Sequence, residues 1–277
     1  MSMGFGCNAA GVVGARIIDS PRERLLAILT NNFAPCNGRF PTLIAVLTMF
    51  FIGTTGGAAA TIWSAVLLTA LIVLSVFISF GVTKLLSCTL LKGMPSSFTL
   101  EMPPFRKPQI GKILIRSLLD RTVFVLGRAL AVAAPAGLLI WILANVTVDG
   151  GSLLHHTAAF LDPFARLMGL DGVILLAFIL GFPANEIVIP LIIMMYKATG
   201  TLVDADNLGA LRELLVQHGW TVNTAISMLL FTLLHWPCST TLLTIKKETG
   251  SIRWTLLAFV LPTAIGVLTC MLFTALT

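Results

Sequence analysis

One five-residue frame occurs twice in apolar surroundings, as Gly4-Phe5-Gly6-Cys7-Asn8 and as Gly181-Phe182-Pro183-Ala184-Asn185, and Glu186 follows the second copy at once. Hydrocarbon gives freed backbone groups and a carboxylate nothing to bond, so helix breakers and an acid inside a membrane-length apolar run are costly. Such costs are usually tolerated for a binding site. Paired interruptions at corresponding places in two halves of a chain point to a midplane site of the kind secondary transporters use.

Composition supports the membrane reading. Hydrophobic residues make up 57% of the chain and charged residues 11%, against about a quarter charged in soluble proteins. Apolar stretches at 41–52, 62–83, 129–147, 172–196, 221–236 and 254–277 mostly approach the roughly 20 residues that cross a bilayer core, and only the first is clearly short. The N-terminus lacks the basic region, apolar core and small-residue cleavage site of a secretion signal, so insertion falls to the internal segments.

The net charge of +6 follows topology rather than a nucleic-acid partner. Fifteen of the 18 Lys and Arg lie in three groups: Arg16 to Arg39, Lys84 to Arg128, and Lys246, Lys247 and Arg253. Arg166, Lys197 and Arg212 instead share their segments with Asp149, Asp162, Asp171, Asp204, Asp206 and Glu213. The positive-inside rule puts the first set in the cytoplasm and the second outside. A single crossing by 172–196 would move Lys246 and Lys247 out, so the segment is expected to dip in, break at Gly181 to Asn185 and return. The first frame is likewise expected to return to the cytoplasmic side at Arg16. The expected fold is an all-α polytopic membrane protein, with transmembrane helices and two broken re-entrant hairpins in an inverted repeat. Its expected units are 1–92, a cytoplasmic connection over 93–128, and 129–277.

Local signals fill in the connections. Ser20-Pro21-Arg22-Glu23 reads as a helix start with Ser20 as N-cap and Pro21 at N1, the helix running over 21–31 at the cytoplasmic surface. Residues 93–109 contain Pro95, Pro103, Pro104 and Pro108 and are expected to be extended. Residues 110–127 form a basic amphipathic pattern suited to lie against anionic lipid. No G-x-x-x-x-G-K-[ST] or H-E-x-x-H occurs in the chain, so it offers no nucleotide site in the P-loop manner. His155-His156 reads as a solvated loop pair. The five cysteines, odd in number and scattered, argue against a disulfide framework, and Cys88 and Cys270 read as apolar fillers.

Glu186 is the one acid placed inside the membrane, at the start of a half-helix whose free N–H groups favour the carboxylate. Asn8 and Asn185 occupy matching frame positions and can either cap the next half-helix or turn an amide oxygen to a cation. Cys7 reads as filler or ligand. Pro35-Cys36 and Pro237-Cys238 repeat a second dipeptide downstream of each frame. Pro237 frees a carbonyl one turn back, Cys238 and His235 are candidate secondary ligands, and Cys36 reads as packing. Thiolate, carboxylate and amide oxygen together suit a borderline transition metal better than Na+ or Mg2+.

Gly4-Phe5-Gly6-Cys7-Asn8 followed by Arg16, Arg22-Glu23-Arg24 and Pro35-Cys36-Asn37-Gly38-Arg39 resembles the first gate motif of the ferrous iron transport protein B family. Gly181 to Glu186 resembles its second gate motif, and Pro237-Cys238 with Lys246-Lys247-Glu248-Thr249-Gly250-Ser251 resembles its C-terminal signature. The resemblance implies Fe2+ as transported substrate in a multi-pass protein of a bacterial inner membrane, with Cys7 and Glu186, and Cys238 behind them, along the iron path. It implies as partners the lipid bilayer and a GTPase domain, on another chain or lost by truncation, and it is compatible with a homo-oligomer but not with a nucleic-acid or enzymatic role for this stretch. Two other readings stay open at this point. One is a nucleoside-permease-like ion-coupled carrier, which has no need of Cys7 or Cys238; the other is a non-transporting gate-type assembly protein.

Overall fold

A computed structural model describes residues 2–52, 58–93, 111, 115, 123–148, 151–197 and 208–277. The expected Pro-rich and amphipathic stretches at 93–127 lie for the most part outside these residues. The described chain is helical apart from a two-residue antiparallel pair, Thr147–Val148 with Gly151–Ser152. Its helices are α1 (Ser2–Gly6), α2 (Asn8–Gly14), α3 (Pro21–Thr30), α4 (Phe40–Leu47), α5 (Ala58–Cys88), α6 (Phe124–Asn145) and α7 (Leu153–Leu167). They continue as α8 (Gly172–Leu180), α9 (Val188–Lys197), α10 (Leu208–Gln217), α11 (Val222–Leu234), α12 (Ser239–Thr249) and α13 (Ile252–Leu276).

Among the described residues three helical stretches are long and apolar enough to cross a membrane: Thr61–Cys88, Val222–Thr249 and Ile252–Leu276. The pair α7 and α8, bent by 107°, makes a fourth if counted as one broken span. The middle stretch, α11 with α12, has 78% of its most apolar window buried, against 17% for Thr61–Cys88 and 22% for α13. The span interrupted by Pro237 is therefore the centre of the bundle, and the two uninterrupted spans turn apolar side chains such as Phe77, Phe80, Leu268 and Leu272 outward. That pattern suits lipid, where an outward apolar face costs nothing.

Both frames lie in hairpins that turn back. Asp171 at the start of α8 accepts a hydrogen bond from Tyr196 Oη near the end of α9, so the 172–196 segment returns to the end it left, as the charge pattern predicts. In the first hairpin a Cβ placed on Gly14 would lie 2.7 Å from Met3 Sδ, which brings the end of α2 beside the start of α1. The two ends of the molecule differ in character. At one, Arg16 forms a bidentate pair with Glu248, both contacts 2.6 Å, and Arg22 donates to Leu91 O. At the other, Trp220 stacks on Phe50 with centroids 5.9 Å apart and donates to Tyr196 Oη at 2.8 Å.

The expected start of α3 is present, with Pro21 at N1 and Ser20 Oγ accepting from Glu23 N at 3.5 Å. Its Leu26, Ile28 and Leu29 are buried, so the helix is anchored in the core rather than resting on a surface. His155 and His156 stand in the first turn of α7 and not in a loop, because Ser152 caps that helix by accepting from His155 N. Cys270 is buried as expected, whereas Cys88 is exposed at the end of α5 and fills no space inside the chain.

Two predictions follow from this packing. A Cβ on Gly11 would lie 2.5 Å from Asn31 Oδ1, and Asn31 cannot swing away without losing its 2.9 Å bond to Asn8 O. Gly11→Ala should therefore destabilise the protein by roughly 1–3 kcal/mol in thermal unfolding in detergent, whereas Gly6→Ala, with nothing within 4 Å of the added methyl, should be neutral. Asp171, outside the spans, has its carboxyl pushed up by burial, opposed by the bonds it accepts from Tyr196 Oη and Ile174 N. Its protonated form is the one the folded site favours, so its contribution is full below the ordinary value of about 4 and is lost as pH rises through the raised value. Asp171→Asn, which keeps an N-cap acceptor, should flatten the pH dependence of Tm over that interval.

Candidate cation site at the two helix breaks

The repeated frame adopts the same backbone twice. Cys7 (φ −150°, ψ 124°) and Ala184 (φ −150°, ψ 115°) hold the same frame position, are both extended, and each directly precedes the Asn that opens the next helical turn. An extended residue between helical stretches leaves carbonyls without a partner. Gly6 O is satisfied by Asn37 N at 3.2 Å and Phe182 O by Ser239 N at 3.0 Å. Each donor is the residue after a Pro-Cys pair, so the second repeated dipeptide exists to bond the first repeated frame. Gly181 is required by close approach, since a Cβ there would lie 2.8 Å from both Ala177 O and Val188 Cγ2.

Arg39 is the centre of this arrangement. The sequence places it among the cytoplasmic surface cations; the structure buries it completely, at 0% exposure. One terminal nitrogen donates to Asn32 O and Leu233 O, both at 3.0 Å; the other donates to His235 O at 3.1 Å, Trp236 O at 3.2 Å and Asn32 Oδ1 at 3.3 Å. The oxygens of residues 233–236 are those that the end of α11 and the missing N–H of Pro237 leave free. A planar fork of donors can reach several of them at once, which a single ammonium cannot. The physical reason for the correction is thus a cluster of orphaned carbonyls in the core.

The two frame asparagines join the same network. Neither break has a side-chain cap, so the capping role open to Asn8 and Asn185 is not realised. Asn8 is locked into the 31–34 turn: its main-chain oxygen accepts from Asn31 Nδ2, and its amide, in the better satisfied orientation, donates to Gly4 O at 3.0 Å and Ala34 O at 3.2 Å. Asn32 Nδ2 donates to His235 O at 3.0 Å. His235 Nδ1 faces Phe231 O and Thr232 O at 3.0 and 2.9 Å and so carries the ring proton, and Nε2, left with its lone pair, lies 3.4 Å from Asn185 Oδ1, a contact that becomes a hydrogen bond when the Asn185 amide turns its Nδ2 to the ring. Phe178, Phe231 and Trp236 enclose the ring. His235 therefore positions Asn185, and it could meet a cation only if that amide moved aside.

The thiols and the carboxylate sit around the Pro35-to-Arg39 turn. Asn37 touches the first break through Gly6 O, and Gly38 touches the second, since a Cβ on it would lie 3.2 Å from Glu186 Cγ and 3.5 Å from Oε1. Cys36 is buried in this turn, Cys238 is half-buried with Sγ 3.2 Å from Thr241 Oγ1, and both Cys7 and Glu186 are exposed. The thiols of Cys7 and Cys36 lie within electrostatic range of Cys238. Among the described residues no group of three or more His, Cys, Asp or Glu is arranged to hold a metal ion. Cys36, expected as a packing residue, is buried.

Two broken hairpins packed into a bundle of apolar helices make this a polytopic helical membrane protein. Residues 117–252 match the Gate family model, described as nucleoside recognition, and residues 68–120 match the model described as ferrous iron transport protein B C terminus. The Fe(2+) transporter FeoB of Staphylococcus aureus is 29% identical over 272 residues, covering 95% of this chain and 38% of that protein. The Fe(2+) transporters FeoB of Methanocaldococcus jannaschii and of Synechocystis are each 26% identical, covering 93% and 94% of this chain and 38% and 40% of their own length. Over most of its length the chain is similar to the C-terminal region of the ferrous iron transport protein B family. It spans 38% of the length of the first of these relatives. No solved structure shows a significant match.

Replacing the clamp tests the centre of the site. Arg39→Met should cost on the order of 3 kcal/mol or more, because several buried carbonyls lose their donor together. Arg39→Lys should recover only a minor part of that loss. Both are read from thermal unfolding of the purified protein and from its yield in the membrane fraction.

Proposed function

We propose that this chain is the permease part of a ferrous iron transporter of a bacterial inner membrane, and that its two helix breaks form the Fe2+ path. The observation that carries the reading is the Pro35-to-Arg39 turn, which contacts the thiol-bearing break through Asn37 and the carboxylate-bearing break through Gly38. Cys7 and Glu186, both open to the outside of the chain, receive the ion, with Cys36 and Cys238 following behind. Asn8 and Asn185 hold the two break strands in register, and each has an amide that a small strand movement would free. Thiolate sulfur with carboxylate oxygen favours a borderline ion over Na+ or Mg2+, and the ion displaces the thiol protons as it binds.

We read residues 1–92 and 129–277 as the two gate units and 93–128 as the cytoplasmic connection between them. A GTPase unit, implied by the family resemblance, would act from that face. The nucleoside-recognition description of the Gate model favours one competing reading, an ion-coupled nucleoside carrier.

Expression of the complete protein in a strain lacking its own ferrous uptake separates them. Glu186→Gln and Cys7→Ser should each abolish 55Fe2+ accumulation while leaving membrane insertion intact, and Cys36→Ser should reduce it. Unchanged iron uptake in Glu186→Gln and Cys7→Ser would reject the site. Labelled uridine entering without iron would favour the nucleoside reading.

A further inference from the structure

Away from the helix breaks, Met194 and Met195 near the end of α9 and His155 in the first turn of α7 line one small cavity, together with Ser152, Ala158 and Val173. Its volume of about 50 Å³ admits a water-sized or ion-sized guest. It lies beside the Asp171–Tyr196 contact, at the end of the molecule away from Arg16 and Glu248. Met194 and Ala158 are buried, so the inner wall is dry, whereas His155 is exposed and opens the cavity to the outside.

The donor set is selective. Thioether sulfur and imidazole nitrogen are ligands for soft and borderline transition metals, whereas Ca2+ and Mg2+ take oxygen. The N-terminal end of α7 and the C-terminal end of α9 both reach the cavity, and their partial charges oppose one another. Helix ends thus select neither sign of charge, and the ligand atoms decide. The contacts that hold the helix breaks together use none of His155, Met194 and Met195.

We propose that this cavity is a second cation site, taking a soft or borderline transition-metal ion on His155, Met194 and Met195. It goes beyond the permease reading, because binding here is expected whether or not the chain carries iron. The test uses the purified full chain labelled with 13C-methyl methionine and titrated with Ag+, a redox-inert soft ion; thiols also bind Ag+, but the methyl signals report methionine alone. Two of the ten methionine methyls, assigned through Met194→Leu and Met195→Leu, should shift saturably, and His155→Ala should weaken that response about tenfold or more. Leucine keeps the side-chain volume, and His155 is exposed, so all three variants retain the fold. Methyls of residues 194 and 195 that stay fixed while Ag+ binds elsewhere, shifts spread equally over all methionines, or an unaltered response in His155→Ala would each overturn the site. Iron uptake is read separately: a chain that fails to transport but shows the two shifts loses only the permease reading, and one that transports without them loses only this cavity site.

Discussion

A fully buried guanidinium that gathers orphaned carbonyls holds the centre of this protein together. Interrupting a helix in a membrane protein creates carbonyls that nothing nearby can satisfy, and the cost of leaving them bare is several kcal/mol each in hydrocarbon. Arg39 collects those of residues 233, 235 and 236 and the oxygens of Asn32 into one fork. Because the acceptors come from two distant parts of the chain, the same contact that satisfies the end of α11 fixes its position against the 31–34 turn. The Pro-Cys turns complete the arrangement by donating a main-chain N–H to each frame.

Once those breaks are satisfied by other parts of the protein, the groups beside them become available for other work. Cys7 and Glu186 flank the two breaks, and neither is enclosed. Irregular backbone at membrane depth is tolerated where protein satisfies it, and here Asn8 and Asn185 beside the breaks are buried while Cys7 and Glu186 stay exposed. This division explains how satisfied breaks and accessible side chains coexist. It also explains why the uninterrupted spans α5 and α13 contribute so little of their surface to the centre: their continuous helices satisfy themselves and can face lipid.

Much of the architecture was legible in the residues because it rests on local rules. The frame Gly-Phe-x-x-Asn announced both breaks, and the structure gives its fourth position the same extended conformation twice. Ser20 and Pro21 announced α3, and the sorting of charges announced that 172–196 turns back, which the Asp171–Tyr196 contact bears out. Arg39 was misjudged by the same logic. Its position in a run of basic residues marks it as a surface cation, and nothing adjacent in sequence reveals that carbonyls nearly 200 residues away require it.

What the sequence determined by itself is therefore the helical membrane class, the places where helices must break, and the chemistry of the side chains set beside those breaks, because each depends on residues within one or two turns. Only the tertiary structure decided which carbonyls meet which donors, that the two asparagines face partners rather than cap helices, and that residues 36–39 bind both breaks at once. Those outcomes depend on long-range satisfaction of buried polar groups, and a linear pattern carries no record of which distant donor will arrive.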